Sequence, residues 1–278
     1  MIDFSAVTYG YTRKQVVLKD VSFHLDPGSF TALMGPSGAG KSTILWQIMG
    51  ELQPNEGEVH CLGQQPGALK KRKLMKYRRK IGYVPQELLL LEHHNVYSNV
   101  NSILCGMGLT AREAATRTRN VLELVRLTDK KKELPSELSG GERQRLAIAR
   151  SLGMMPAVLL ADEPTGNLDP ALSEEIMGLF KQINNMGITV VIATHEQDLM
   201  RKLEADVLYV EPGGEVRHTA FDGSPVVRKP RPATAPVRKR RVMAEGKRLE
   251  TKAVTEETEH PTVSGNESAP EGEEAAEK

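Results

Sequence analysis

The apolar positions of this chain fall into runs of three kinds. Two short runs show no alternation: Ala157–Asp162 (AVLLAD) and Ile188–Thr194 (ITVVIAT) are apolar on both faces. A strand of that kind is covered on both sides, as at the centre of a parallel sheet. Ser29–Gly35 (SFTALMG) is a third candidate strand. A second kind follows the helical period. Leu172, Ile176, Leu179, Phe180 and Ile183 predict a helix of about four turns over Pro170–Met186. Strand, helix and strand in that order form a crossover between parallel neighbours. Residues 111–127 predict another amphipathic helix, on Val121, Leu122, Leu124, Val125 and Leu127, and Thr43–Met49 a short one. The third kind alternates weakly, with Ile2, Phe4 and Val7, then Val21, Phe23 and Leu25. It predicts antiparallel strands with one exposed face.

The patterning stops near residue 224. Residues 225–278 hold no Phe, Tyr or Trp, and their charges are segregated. Pro225–Arg248 carries nine Lys or Arg against one Glu; Leu249–Lys278 carries nine Glu against two Lys. Such a segment buries too little to offset its ordering entropy and is expected to be disordered. It reads as a solubilising extension, as a basic contact for anionic lipid or a partner, or as a self-associating basic–acidic pair. The net charge of +1 argues against a chain that is a nucleic-acid binder as a whole. Cys61 and Cys105 have neither disulfide-framework nor metal-ligand spacing, and are expected to be semi-buried thiols in a reducing compartment. The opening MIDFSAV lacks a basic segment ahead of an apolar stretch, and no run approaches a membrane span, so neither a signal peptide nor a transmembrane helix is expected. Lys70–Lys80 (KKRKLMKYRRK) has eight basic residues in eleven: a solvated face, a contact with anionic headgroups if the chain sits beside a membrane, or a nucleic-acid contact, which no interleaved aromatic platform supports.

The candidate chemistry begins behind the third strand. Gly35, Pro36, Ser37, Gly38, Ala39, Gly40, Lys41 and Ser42 fit G-x-x-x-x-G-K-[ST], with Thr43 entering the helix that follows. A strand before this loop and a helix after it are the context the motif requires. Backbone N–H groups then cradle phosphate, Lys41 reaches the outer phosphates, and Ser42 is a ligand for Mg²⁺. Asp162 and Glu163 close the AVLLAD strand, where carboxylates overlie the crevice of an open parallel sheet. Asp162 is read as holding Mg²⁺ through water, Glu163 as the general base, and His195 as orienting water and sensing the outermost phosphate. Leu138–Arg150 (LSGGERQRLAIAR) is a further puzzle. Ser139 and Glu142 form a capping box, yet Gly140 and Gly141 before a helix also suit a phosphate.

Taken together, these residues resemble the ATPase subunits of ABC transporters, over about residues 1–224. The resemblance adds Gln86 as the Q-loop glutamine, with a place in the Mg²⁺ site and in catalysis. Ser139, Gly140, Gly141 and Glu142 fall in the signature motif, Asp169 is the D-loop aspartate, Tyr11 is the ring that stacks on adenine, and His195 is the switch histidine. It implies an α/β, RecA-like P-loop core, an N-terminal antiparallel subdomain, and a helical subdomain at about 87–150. It also implies a homodimer with head-to-tail ATP sites, each signature facing the partner's phosphate loop. The leucines after Gln86, in LLLLEHHNVYSNV, would receive a membrane subunit. LLADEPTGNLDPALSEEIMGLF and GITVVIATHEQDLM resemble the FtsE-like, cell-division branch. That implies a four-span, FtsX-like partner, control of peptidoglycan hydrolases, and a place on the cytoplasmic face of the inner membrane. Pro85 and Asn95 depart from that branch, where phenylalanine and threonine are usual. The alternative is a lipoprotein-releasing or macrolide-export ATPase. A DNA- or ribosome-bound clamp is disfavoured by the single phosphate loop, and a non-hydrolysing scaffold by the presence of Lys41, Asp162, Glu163 and His195.

Overall fold

The computed structural model describes residues 1–12 and 15–219. The charged segment 225–278 and its expected disorder lie outside the described residues.

Strands β1 (Ile2–Thr12) and β2 (Gln15–Leu25) pair antiparallel. Phe4 lies opposite Phe23 with the rings stacked at 4.4 Å, and Val7 lies opposite Val21. Their inward residues are the alternating apolar set of the sequence. The alternation is weak because the ladder is irregular: Ala6 and Asp20 both take positive φ, and the register shifts between Phe4 and Val7. β3 (Phe30–Met34) leads through the phosphate loop into α1 (Lys41–Met49). β4 (Glu56–Cys61) then pairs with the other edge of β1, giving a three-stranded sheet in the order β2-β1-β4.

The chain continues through α2 (Lys71–Arg78) and β5 (Ile81–Val84) into three helices, α3 (Val96–Gly106), α4 (Ala111–Leu124) and α5 (Gly140–Leu152). These three pack on one another. β6 (Val158–Asp162), α6 (Pro170–Asn185) and β7 (Thr189–Ala193) form the expected crossover. α7 (Gln197–Lys202), β8 (Asp206–Val210) and β9 (Val216–Thr219) complete the described chain. The second sheet runs β5-β6-β7-β3-β8-β9, parallel throughout except for β9.

Two cores explain the runs without alternation. Val158, Leu160, Val191 and Ala193 point into a core shared with the three-stranded sheet and α1. Leu159, Ala161, Val190 and Ile192 point the other way, into a core with α3 to α6. Both faces of the parallel sheet are therefore covered.

Two expectations need correction. The helix predicted over 111–127 ends at Leu124, and Arg126 takes φ 59°. Val125 and Leu127 are buried nonetheless, filling the core from the turn beyond the helix. The two thiols are not alike: Cys61 is buried and Cys105 exposed.

Candidate active site

The carboxyl ends of β3, β6 and β7 open into one cleft of about 670 Å³. Its floor is the phosphate loop. Gly35 has φ 140°, and a Cβ there would lie 2.3 Å from the Val210 carbonyl oxygen, so only glycine lets the loop leave β3 beside β8. Gly40, at φ 108°, is the N-cap of α1, and no side chain caps that helix. The first-turn N–H groups therefore remain available to an anion, with the positive end of the helix dipole behind them. Pro36, Ser37, Gly38, Gly40, Lys41, Ser42 and Thr43 line the cleft. Ala39 does not; it is 8% exposed and packs into the core beside the three-stranded sheet.

Lys41 is almost wholly buried. Its Nζ donates to the carbonyls of Gly35 at 2.9 Å and Pro36 at 3.2 Å, and lies 3.6 Å from Glu163 Oε1. Asp162 ends β6 and is 6% exposed. Burial pushes its carboxyl above the usual range. A hydrogen bond from Ser42 opposes that, the Glu163 charge adds to it, and Lys41 offsets part of it. Glu163 follows with φ 45°, its N–H bonded to the Ala193 carbonyl at 2.8 Å. A non-glycine residue in that region is strained, and β7 holds it there. Glu163 Oε2 meets His195 Nδ1 at 2.9 Å. His195 is otherwise open to solvent, its side chain 67% exposed. Gln86, just past β5, lines the same cleft, as does the half-exposed Tyr11, which sits edge-on to Tyr9.

Ser139, Gly140, Gly141, Glu142 and Asp169 do not line this cleft. The capping reading of the first group is correct. Glu142 accepts from the Ser139 N–H at 2.8 Å and hydroxyl at 2.9 Å, and the Ser139 hydroxyl accepts from the Glu142 N–H at 3.4 Å. The Ser139 N–H holds the Glu142 carboxyl below its ordinary value, against some desolvation, with help from the Ser139 hydroxyl and Lys130. Asp169 caps α6, accepting from the N–H groups of Ala171 and Leu172 at 3.0 Å each.

Sequence reasoning missed Gln15, Val17, Trp46 and Gly166, which also line the cleft. Trp46 stands four residues after Ser42, so helical spacing placed it on the same face. Gln15 and Val17 come from β2, where the irregular pairing hides the register.

The donors fit the implied ligands. A glycine loop, an uncapped helix start and a buried lysine suit a polyphosphate. The buried Asp162 carboxylate with the Ser42 hydroxyl is a hard oxygen pair. No cluster of three or more His, Cys, Asp or Glu able to hold a metal occurs among the described residues. Mg²⁺ takes few protein ligands and completes its shell with water and phosphate, so an oxygen pair such as Asp162 and Ser42 is the kind of donor set that would hold it.

The family model described as "ABC transporter" matches residues 18–166. The "Cell division ATP-binding protein FtsE" of Escherichia coli K12 is 43% identical over 213 residues, 77% of this chain and 96% of that protein. FtsE of Bacillus subtilis is 40% identical over 217 residues, 78% of this chain and 95% of that protein. Among solved structures, the ATP-binding cassette MJ0796, a dimer bound to ADP and Pi, superposes with a TM-score of 0.71 at 35% identity, over 80% of this chain and 99% of that one. The cassette CbiO1 of Clostridium perfringens superposes with a TM-score of 0.72 at 32% identity, over 77% and 86%. The likeness thus runs through the phosphate loop, both sheets and the helical part at once, and the chain belongs to the ABC transporter ATPase family: it is an ATP-binding, ATP-hydrolysing enzyme with the P-loop ABC fold, similar to FtsE.

Proposed function

We propose that this chain is the ATPase subunit of an FtsE-type membrane complex, pairing with an FtsX-like four-span protein. Hydrolysis would then be coupled to control of peptidoglycan hydrolases during division, on the cytoplasmic face of the membrane. The observation that carries the reading is the division of the site. The phosphate loop, strand-end carboxylates and His195 share one cleft, whereas the glycine-led start of α5 does not line it. A second copy, docked head to tail, supplies Ser139, Gly140 and Gly141 to the outer phosphate, with Asp169 near the seam. The MJ0796 cassette, which is dimeric, supports that arrangement.

In this reading Lys41 and the loop N–H groups bind and orient the β- and γ-phosphates, and Tyr11 stacks on the base. Glu163 accepts the proton of the attacking water, held in place by His195. Ser42, Asp162 and Gln86 would hold Mg²⁺, which would supply neutralising charge to the phosphates. Gln86 links that site to the leucines after it. Leu90 is buried and Leu88 partly so, while Leu89 and Leu91 are exposed, as a docking strip needs. No described helix is long and apolar enough to cross a membrane.

The test is affinity purification of the full chain carrying Glu163→Gln from native membranes with ATP, read by mass spectrometry. A four-span protein with cell-wall hydrolase factors supports the proposal. An efflux or lipoprotein-release permease would keep the ATPase and move its biology to transport. DNA or ribosomes without a membrane protein would overturn it.

A further inference from the structure

The basic run at Lys70–Lys80 has no role in the ATPase site. In the structure it forms α2 and its flanks, and one side is firmly seated. Tyr77 is 1% exposed and its hydroxyl donates to the Ile48 carbonyl at 2.6 Å. Arg78 donates to the carbonyls of Met49 and Gly50, both at 3.1 Å, and pairs with Glu51 at 3.0 Å. Leu74 packs beside them. Residues 74, 77 and 78 lie on one helical face, so α2 is fixed in orientation.

The solvent-facing remainder of the segment is different in kind. Lys70, Lys71, Arg72, Lys73, Lys76, Arg79 and Lys80 are all exposed, and none of their side chains has a hydrogen bond or ion pair among the described residues. Like charges crowded on so short a helix repel one another. Met75, in their midst, is 55% exposed. Arg78 and Arg79 also form one wall of a groove of about 270 Å³, whose other sides include Leu88, Leu89, Ile103 and Met107. That groove takes in Leu88 and Leu89 of the leucine strip assigned above to the membrane subunit. Arg79, one of the unpaired cations, therefore joins the basic segment to the side that the docking reading turns toward the membrane.

We propose that the exposed basic surface of α2 and its flanks is a contact surface for anionic lipid headgroups, seating the ATPase against the bilayer beside its docking groove. The orientation rests on the docking reading above; the contact itself needs no partner subunit. The chemistry favours lipid over nucleic acid. Tyr77, the one aromatic ring of α2, is buried, so no stacking platform is offered to bases. An apolar Met75 ringed by cations matches an interface with headgroups outside and acyl chains beneath.

The test is flotation of the full chain with vesicles of phosphatidylglycerol in phosphatidylcholine, and with phosphatidylcholine alone. Wild type should bind the anionic vesicles, lose them as salt rises, and ignore the neutral ones. The triple change Lys71→Gln, Lys73→Gln, Lys76→Gln should weaken binding about a hundredfold, at the usual contribution of each interfacial cation. Lys→Arg at the same three positions should retain it. Basal ATP turnover should match wild type in both variants, showing that the fold is intact. Equal vesicle binding by wild type and the Gln variant would overturn the proposal, as would no binding by wild type. Duplex DNA displacing the vesicles, with α2-dependent affinity, would overturn it in favour of nucleic acid. Failure of the docking reading would appear separately, as loss of the membrane subunit in the purification, with vesicle binding unchanged.

Discussion

Glu163 is where strain, charge and position meet. It sits at φ 45°, between Lys41 at 3.6 Å and His195 at 2.9 Å. Glutamine keeps the shape and loses the base, so Glu163→Gln should lower turnover by about 10²–10⁴-fold with ATP affinity retained. Steady-state hydrolysis with a fluorescent-nucleotide titration measures both, and near-normal turnover would remove Glu163 from the role of base. The cysteines give a second prediction at this scale. Desolvation pushes the Cys61 thiol up to about 11, with the neighbouring Tyr77 hydroxyl opposing it, while Cys105 is exposed. Alkylation of the native protein at pH 8 should label Cys105 and spare Cys61, as peptide mass spectrometry would show. The sign of the linked stability follows. The native state holds the Cys61 proton more tightly than the unfolded chain, so this contribution is complete below the ordinary value of 9.0 and is lost as pH rises to about 11. Denaturant midpoints across that range should fall, and less so in Cys61→Ala.

At the scale of elements, α2 closes the carboxyl end of α1. Tyr77 and Arg78 satisfy the carbonyls of Ile48, Met49 and Gly50, which have no further helix to bond. The guanidinium also meets the negative end of the α1 dipole. Tyr77→Phe removes only the hydroxyl and leaves a buried carbonyl unpaired, so it should cost about 1–2 kcal/mol in urea unfolding with turnover unchanged. None of this was visible in the basic run itself, because charge density says nothing about which residue turns inward. The central strands were legible for the opposite reason. β3, β6 and β7 are covered on both faces, so burial alone writes them as unbroken apolar runs. β5 has only four residues, and the short apolar run of β8 opens on Asp206 with Val207 and Tyr209 only partly buried, so neither stands out in the same way. The catalytic loop was legible because glycine, lysine and serine are demanded at fixed spacing. Gln15 and Val17 were not, because they reach the cleft through an irregular strand pairing that no local pattern records.

For the whole molecule, the question is whether one chain can hold a complete site. The phosphate loop and the start of α5 are both well formed, yet only the first lines the cleft. In a head-to-tail dimer each site takes its loop from one copy and its signature from the other. Lys41→Ala and Ser139→Arg should therefore each abolish turnover alone, by removing opposite halves of every site. Mixed together, they should recover it. A mixed dimer has one site with both halves damaged and one with neither, because the intact loop of the Ser139→Arg copy meets the intact signature of the Lys41→Ala copy. Random pairing in equal amounts makes half of the dimers mixed, so activity should return to about a quarter of wild type if the sites act independently. Activity that stays at zero in a mixture proven to contain mixed dimers would mean that the two sites fire only together. Full activity in the Ser139→Arg protein alone would mean that α5 serves its own chain as a capped helix and nothing more, and that the cleft seen in one copy is the complete enzyme.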